Sequence, residues 1–219
     1  MAEDIEGKNT SLPELNLEKA LEDERQRIAH ELHDDTVQRL VAVRLRLEQF
    51  SYRLNNSQLL DESQALCEEI SEVVKSLRFL VWGMTLPQFN DKTLTVLLNE
   101  LFQKLDRIAH VKVTFVSHFE HLEFFMEPAT KQSLFRMVQE VTQNFVNHSL
   151  GFDLTVKVNW QQDLKISIQD NGQGLWKPGG KQDLTSLQKR ATDIGAELLI
   201  QSPIGHGLCI TIIFKKPLQ

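Results

Sequence analysis

A histidine and an aspartate adjoin at His33–Asp34, inside the stretch RIAHELHDDTVQRL that runs from Arg27 to Leu40. A neutral imidazole is a good nucleophile, and its reference pKa of about 6.5 leaves it largely unprotonated at cytosolic pH. A carboxylate beside it accepts one ring N–H, which fixes the tautomer and supports the cation as the other nitrogen attacks. Gln38 lies four residues beyond Asp34, a neighbour on one helical surface, where a carboxamide can position a water. Metal chemistry fits less well. The zinc-protease pattern sets its histidines four apart, whereas His30 and His33 are three apart with no third ligand evident nearby. Alone, a His-Asp pair is more often the polar surface of a charged helix.

Two further constellations change that balance. In MVQEVTQNFVNHS, Glu140 and Asn144 are four apart on a helix that also carries the apolar positions Leu134, Met137, Val138 and Val141. A carboxylate and an amide oxygen so arranged suit a hard cation such as Mg²⁺, with waters and phosphates as the other ligands. Further on, ISIQDNGQGL carries a strand into Asp170, Gly172 and Gly174. A carboxylate at a strand end can accept from the exocyclic amine of a base, and paired glycines permit a hinge beside a nucleotide. A second glycine pair, Gly205 and Gly207, precedes the last strand. Each piece alone is weak, since an amphipathic helix has a wet edge and D-x-G-x-G can be a plain turn. Their order along one chain is strong.

The elements that must position these groups fall into two sets. From Glu14 to about Phe50 there is no Gly or Pro, and Ile28, Ala29, Leu32, Leu40, Val43 and Leu47 recur at helical steps. A turn at Asn55–Gln58 leads to a second amphipathic run from Leu59 to about Val81, ended by Gly83 and Pro87. Such a hairpin cannot enclose its own apolar stripe, and pairing two hairpins into a four-helix bundle is the simplest solution. After Pro87 the order becomes helix (Leu94–Ala109), strand (Val111–Ser117), a short strand at FFMEP, helix (Thr130 to about Asn147), then the strand pair LTVKVNW and LKISIQD. A third helix near Leu184–Ile194 and the strands AELLIQS and GLCITIIFK finish an α+β domain with helices over a mixed sheet. The expected organisation is a flexible leader over 1–13, a helical hairpin over 14–87 and a second domain over 91–219.

Composition narrows the function classes. At 219 residues the chain fits one large or two small domains, and 41% hydrophobic with 25% charged residues is ordinary for a soluble protein. A formal charge of −6 gives no support to direct nucleic-acid binding or to an anionic membrane surface. No apolar run is long enough to span a bilayer, and the acidic N-terminus lacks the regions of a secretory signal. Cys67 and Cys209, far apart in sequence, point to a reducing compartment. The expected location is therefore cytoplasmic, and a solubilised part of a membrane receptor would look the same.

These residues resemble a family. The chain is similar, over about residues 20–216, to the catalytic half of two-component sensor histidine kinases, specifically the subfamily whose partners are NarL-type regulators. ERQRIAHELHDDTVQRL resembles the dimerisation and phosphoacceptor helix, with H-D-x-x-x-Q at His33, Asp34 and Gln38. LFRMVQEVTQNFVNHS resembles the N box of the GHKL-type ATPase fold shared with gyrase and MutL. IQDNGQGL resembles its first glycine box, and LQKRATDIGAELLIQSPIGHG its closing helix and strands. The resemblance implies an all-α hairpin, forming a dimeric four-helix bundle, followed by an α+β two-layer sandwich of the Bergerat type. It implies that His33 is phosphorylated from ATP, with Asp34 as acid–base partner and Gln38 orienting water in a phosphatase reaction. Asn144 would bind Mg²⁺ with Glu140 near the γ-phosphate, and His148, the N-box histidine, would line the nucleotide site. Asp170 would recognise adenine, while Gly172, Gly174, Gly205 and Gly207 would shape the site and a mobile lid over Gln173–Gln182. The implied partners are a second copy of the chain and the receiver domain of a response regulator.

Several residues depart from the family pattern. Asn147 stands where a basic residue usually precedes the N-box histidine. Lys181, Asp183 and Ser186 replace glycines of the second glycine box, and Leu208 replaces a threonine. An aspartate close to the phosphates would repel them unless it is turned away or a cation intervenes. Two functions follow: a protein histidine kinase that passes phosphate to a response regulator and also dephosphorylates it, or a degenerate kinase acting as a dimeric scaffold or phosphatase with little ATP turnover.

Overall fold

A computed structural model describes residues 12–54, 56–89, 92–109, 111–118, 126–149, 151–172, 174, 184–202 and 207–215. The chain divides into two compact units between Leu86 and Pro87.

The first unit is a helical hairpin. Helix α1 (Leu12–Glu31) begins inside the stretch expected to be flexible, with Pro13 in its first turn, where a missing N–H costs nothing. It passes through one wide π turn (Leu32–Val37) directly into α2 (Gln38–Ser51). The return helix α3 (Ser57–Met84) is started by Asn56, whose side-chain oxygen accepts from the N–H groups of Gln58 at 2.9 Å and Leu59 at 3.3 Å. That side chain satisfies two of the donors a helix start leaves open. Few side chains are fully buried here: Ala29, Val37, Ser63 and Val74 along the hairpin, then Phe79, Val81 and Trp82 near the end of α3. Phe79 and Trp82 stack with ring centroids 5.3 Å apart. Leu59, Leu66, Val73 and Leu80 stay about half exposed and recur at seven-residue steps along α3. This is the spacing of a seam between helices.

The second unit is a two-layer sandwich. Helices α4 (Leu94–Ala109), α5 (Pro128–His148) and α6 (Thr185–Asp193) accompany a five-stranded sheet. Its strands are β1 (Lys112–His118), β2 (Asp153–Trp160), β3 (Asp163–Asp170), β4 (Ala196–Gln201) and β5 (Cys209–Lys215), in spatial order β1-β2-β3-β5-β4. Only β1 and β2 run parallel, so the sheet is mixed. Alternation sends Leu154, Val156 and Val158 of β2, Leu164, Ile166 and Ile168 of β3, and Ile210 and Ile212 of β5 to one buried face. The register pairs Val156 with Ile168 and Ile166 with Ile212, which stacks these side chains across the strands. Against that face lie Leu94, Leu97, Leu98, Leu101 and Leu105 of α4 and Leu134, Met137, Val138 and Val141 of α5, all buried. The strand expected at FFMEP is not formed by its described residues. Met126 and Glu127 make no ladder, and Pro128 opens α5, its fixed φ suiting the first helical position. Phe124 and Phe125 lie outside the described residues.

Candidate functional site

The wide turn of the first unit carries the histidine. His33 and Asp34 sit within Leu32–Val37, and the His33 Nδ1 lies 2.9 Å from Asp34 Oδ1. The imidazole is 54% exposed, and its Nε2 has no bond to any described residue. The hydrogen bond from His33 holds the Asp34 carboxyl below the usual carboxylate range, with the charges of His30 and His33 adding to it. The acid therefore stays ionised and acceptor-only at neutral pH, so Nδ1 is the donor in this pair. Charged neighbours brace the turn on both sides: Arg27 binds Glu24 and Glu31, and Arg39 binds Asp35.

Gln38 follows the π turn, which closes i→i+5 rather than i→i+4, as the first residue of α2. Gln38 is exposed and makes no side-chain bond to Asp34 among the described residues. Single π turns inside α-helices are frequent at functional sites.

The second unit holds a pocket between α5 and the sheet. Its walls are Val141 and Phe145 of α5, Leu154 and Ile168 of the sheet, and Leu208 and Ile210 at the start of β5. Its polar groups are His148, Ser149 and Asp170, with Gly174 at the rim. Two adjacent stripes of α5 build one side. Val141, Phe145 and Ser149 recur every four residues and are buried, while Glu140, Asn144 and His148 form the wetter stripe beside them.

Asp170 ends β3 and is almost wholly buried. Its Oδ1 accepts from the Ser149 hydroxyl at 2.9 Å and from the Gly172 N–H at 2.7 Å. Its Oδ2 has no partner among the described residues. Close backbone approach explains two of the glycines. A Cβ on Gly172 would lie 1.7 Å from the Ser149 hydroxyl, and one on Gly207 would lie 2.1 Å from the Asp170 carbonyl oxygen. Gly207 also has a φ of +78°, in the left-handed region that side chains disfavour. Asn171 fastens the same corner, its Oδ1 accepting from the N–H groups of Phe152 and Asp153 at 3.0 Å each.

An acceptor at the floor of an apolar slot fits the amino edge of a purine. The oxygen donors of Glu140 and Asn144, one helical turn apart and half-buried, fit a hard divalent cation. Glu140 is already engaged by Ser186 of α6, whose hydroxyl donates to its carboxylate. Ser186 is one of the departures from the glycine box, and its hydroxyl is directed at the carboxylate expected near the γ-phosphate.

The structure thus brings His33 together with Asp34, and Asp170 with Gly172, Gly174, Gly207 and His148. Gly205, Lys181, Asp183 and the stretch expected as a lid, apart from Gly174, lie outside the described residues. Sequence reasoning missed Ser149. Only its place four residues after Phe145, on the buried stripe of α5, sets it apart from an ordinary helix-ending serine.

Residues 24–88 match the family model described as histidine kinase. That match lies almost wholly within the helical hairpin of the first unit. Among its relatives are the sensor protein VraS of Staphylococcus haemolyticus, 29% identical over 99% of this chain, and that of Staphylococcus saprophyticus, 30% identical over 95%. The chain spans about three-fifths of the length of these relatives, 62% and 60% respectively. Among solved structures, the ATP binding domain of PrrB from Mycobacterium tuberculosis aligns with 58% of this chain and 96% of its own, at 19% identity and a TM-score of 0.47. No helix among the described residues is long and apolar enough to cross a membrane.

Proposed function

We propose that the chain is an ATP-dependent protein histidine kinase whose phosphoacceptor is His33. The observation that carries this reading is the exposed imidazole with Nδ1 held by Asp34, which leaves Nε2 free to attack. In the proposed step Nε2 forms a bond to the γ-phosphorus while the bond from that phosphorus to the β,γ-bridging oxygen breaks, and ADP leaves. Asp34 supports the positive charge that develops on the ring. Transfer to a carboxylate oxygen of a receiver domain, of the NarL-type class, then regenerates the neutral imidazole. The reverse assignment for Gln38 is phosphatase chemistry, with its exposed carboxamide orienting water.

Asp170 would accept from the adenine amino group through Oδ2, and His148 would line the same site. Glu140 and Asn144 would hold Mg²⁺, which when bound neutralises phosphate charge. The hairpin and the sandwich are proposed as the functional domains, the first over 14–87 and the second over 91–219. The half-exposed seam of α3 supports a homodimer through the hairpin. The two free cysteines suit a cytoplasmic location.

Incubation with γ-labelled ATP and Mg²⁺ tests the proposal. Acid-labile label is expected on the wild type, none on His33→Gln and little on Asn144→Asp. Label retained by His33→Gln would refute the assignment. The engagement of Glu140 by Ser186 favours a second reading, a dimeric scaffold or phosphatase with weak turnover. That reading expects no label on any variant, yet faster loss of phosphate from a phosphorylated receiver domain that depends on Gln38.

A further inference from the structure

We infer that Ser149 is a positioning residue that sets the purine selectivity of the pocket, by holding Asp170 so that one carboxylate oxygen alone faces the base and favours 6-amino over 6-oxo purine nucleotides. The inference rests on the nucleotide reading above and deepens it.

A carboxylate on its terminal torsion has broad, two-fold freedom. Left to itself, Asp170 would present either oxygen, or turn to admit a water. Here that freedom is removed. Oδ1 takes two donors, the Ser149 hydroxyl at 2.9 Å and the Gly172 N–H at 2.7 Å, and Oδ2 takes none among the described residues. Ser149 and Asp170 are both 7% exposed, so bulk water is poorly placed to substitute for either.

Ser149 is committed in turn. A hydroxyl has one proton to give. The Gly151 N–H points at the same oxygen from 3.3 Å and uses it as an acceptor, which leaves the proton for Asp170. The Ser149 main chain is tied to the end of α5 through its N–H to the Phe145 carbonyl at 2.9 Å. Gly172 leaves room for this arrangement, since a Cβ there would displace the hydroxyl.

The consequence is chemical selectivity. An oxygen that only accepts, fixed at the floor of an apolar slot, bonds an exocyclic amine and repels a carbonyl oxygen in the same place. Sites built around one such bond reject the analogue lacking it because their buried polar group is then left unpaired. With the hydroxyl gone, the carboxylate can rotate and share a water, so a 6-oxo purine is penalised less.

The test is binding of ATP and of inosine triphosphate to the whole chain, by displacement of a fluorescent nucleotide. Four proteins are compared: wild type, Ser149→Ala, Ser149→Cys and Asp170→Asn. The wild type is expected to prefer ATP by about a hundredfold or more, and Ser149→Ala to lower that ratio roughly tenfold, the weight of one hydrogen bond to a charged group. Ser149→Cys, similar in size but a weak donor, should fall between them. Asp170→Asn should abolish the preference. If Ser149→Ala and Ser149→Cys weaken both nucleotides equally with the ratio unchanged, Ser149 is merely structural and the inference is overturned. A preference that survives Asp170→Asn would instead sink the base-reading role of Asp170 itself, and this inference with it.

Discussion

The seam on α3 yields a quantitative expectation. Leu59, Leu66, Val73 and Leu80 are 48%, 50%, 49% and 47% exposed, and each lies seven residues from the next. Full burial of a leucine or valine contributes about 1.5–3 kcal/mol. With half of each side chain already covered by the hairpin, docking against a second copy recovers about 1 kcal/mol per residue. The double substitution Leu66→Ala, Val73→Ala removes four such contributions from a symmetric dimer, hence about 3–4 kcal/mol. At about 1.4 kcal/mol per tenfold, the dimer Kd should rise 10²- to 10³-fold. Alanine is the best helix former, so the hairpin's own helicity should persist and circular dichroism can verify it. Sedimentation equilibrium over a range of concentrations reads the shift. Tyr52→Ala is the control: that side chain is 88% exposed at the hairpin turn and off the seam, and should leave Kd unchanged. A Kd that moves less than about threefold in the double variant, below even one contribution of this size, or that moves equally in the control, would refute the seam.

Two further outcomes follow from the geometry. Asp34→Asn should slow labelling of His33 by about 10²-fold at neutral pH, within the usual weight of general acid–base partners. Because the hydrogen bond lowers the Asp34 pKa, its carboxylate contribution is fully present above the ordinary carboxylate range and is lost only as pH falls through the lowered value. The ratio of wild-type to Asp34→Asn rates should therefore stay constant from neutral to mildly acidic pH, and a ratio that collapses in that window would contradict the assignment. Gly207→Ala should destabilise the second unit by at least about 1–2 kcal/mol from the left-handed backbone alone, with the approach to the Asp170 carbonyl oxygen adding to it. Urea unfolding of the whole chain measures this, and an unmoved midpoint for that unit would show that the contact is not held in solution.

What could be read in the sequence follows from which interactions are local. The break between the hairpin helices was legible because its signals are short-range: the turn expected at Asn55–Gln58 contains Asn56, which caps α3, and Pro87 follows shortly after that helix ends at Met84. The strands of the sandwich were legible because alternation is a two-residue pattern, and LTVKVNW and LKISIQD carry it without a break. At FFMEP the apolar pattern did not carry over to its described residues, since Met126 and Glu127 join no ladder and Pro128 opens α5.

The π turn could not be read, because the stretch RIAHELHDDTVQRL is mostly polar and its few apolar positions do not fix a helical phase across it. Ala29 before the turn and Val37 at its end are buried and eight residues apart, a separation that an uninterrupted α-helical stripe also allows. The turn leaves the His33–Asp34 bond intact, and Gln38 makes no side-chain bond to Asp34 among the described residues. Ser149 was hidden for the opposite reason. Its partner is 21 residues away, across the β2–β3 hairpin, and nothing local distinguishes a serine that ends a helix from one that holds a carboxylate. Local chemistry thus identifies the group that reacts or recognises. The residues that restrict its freedom are found only once the chain has folded, and selectivity resides with them.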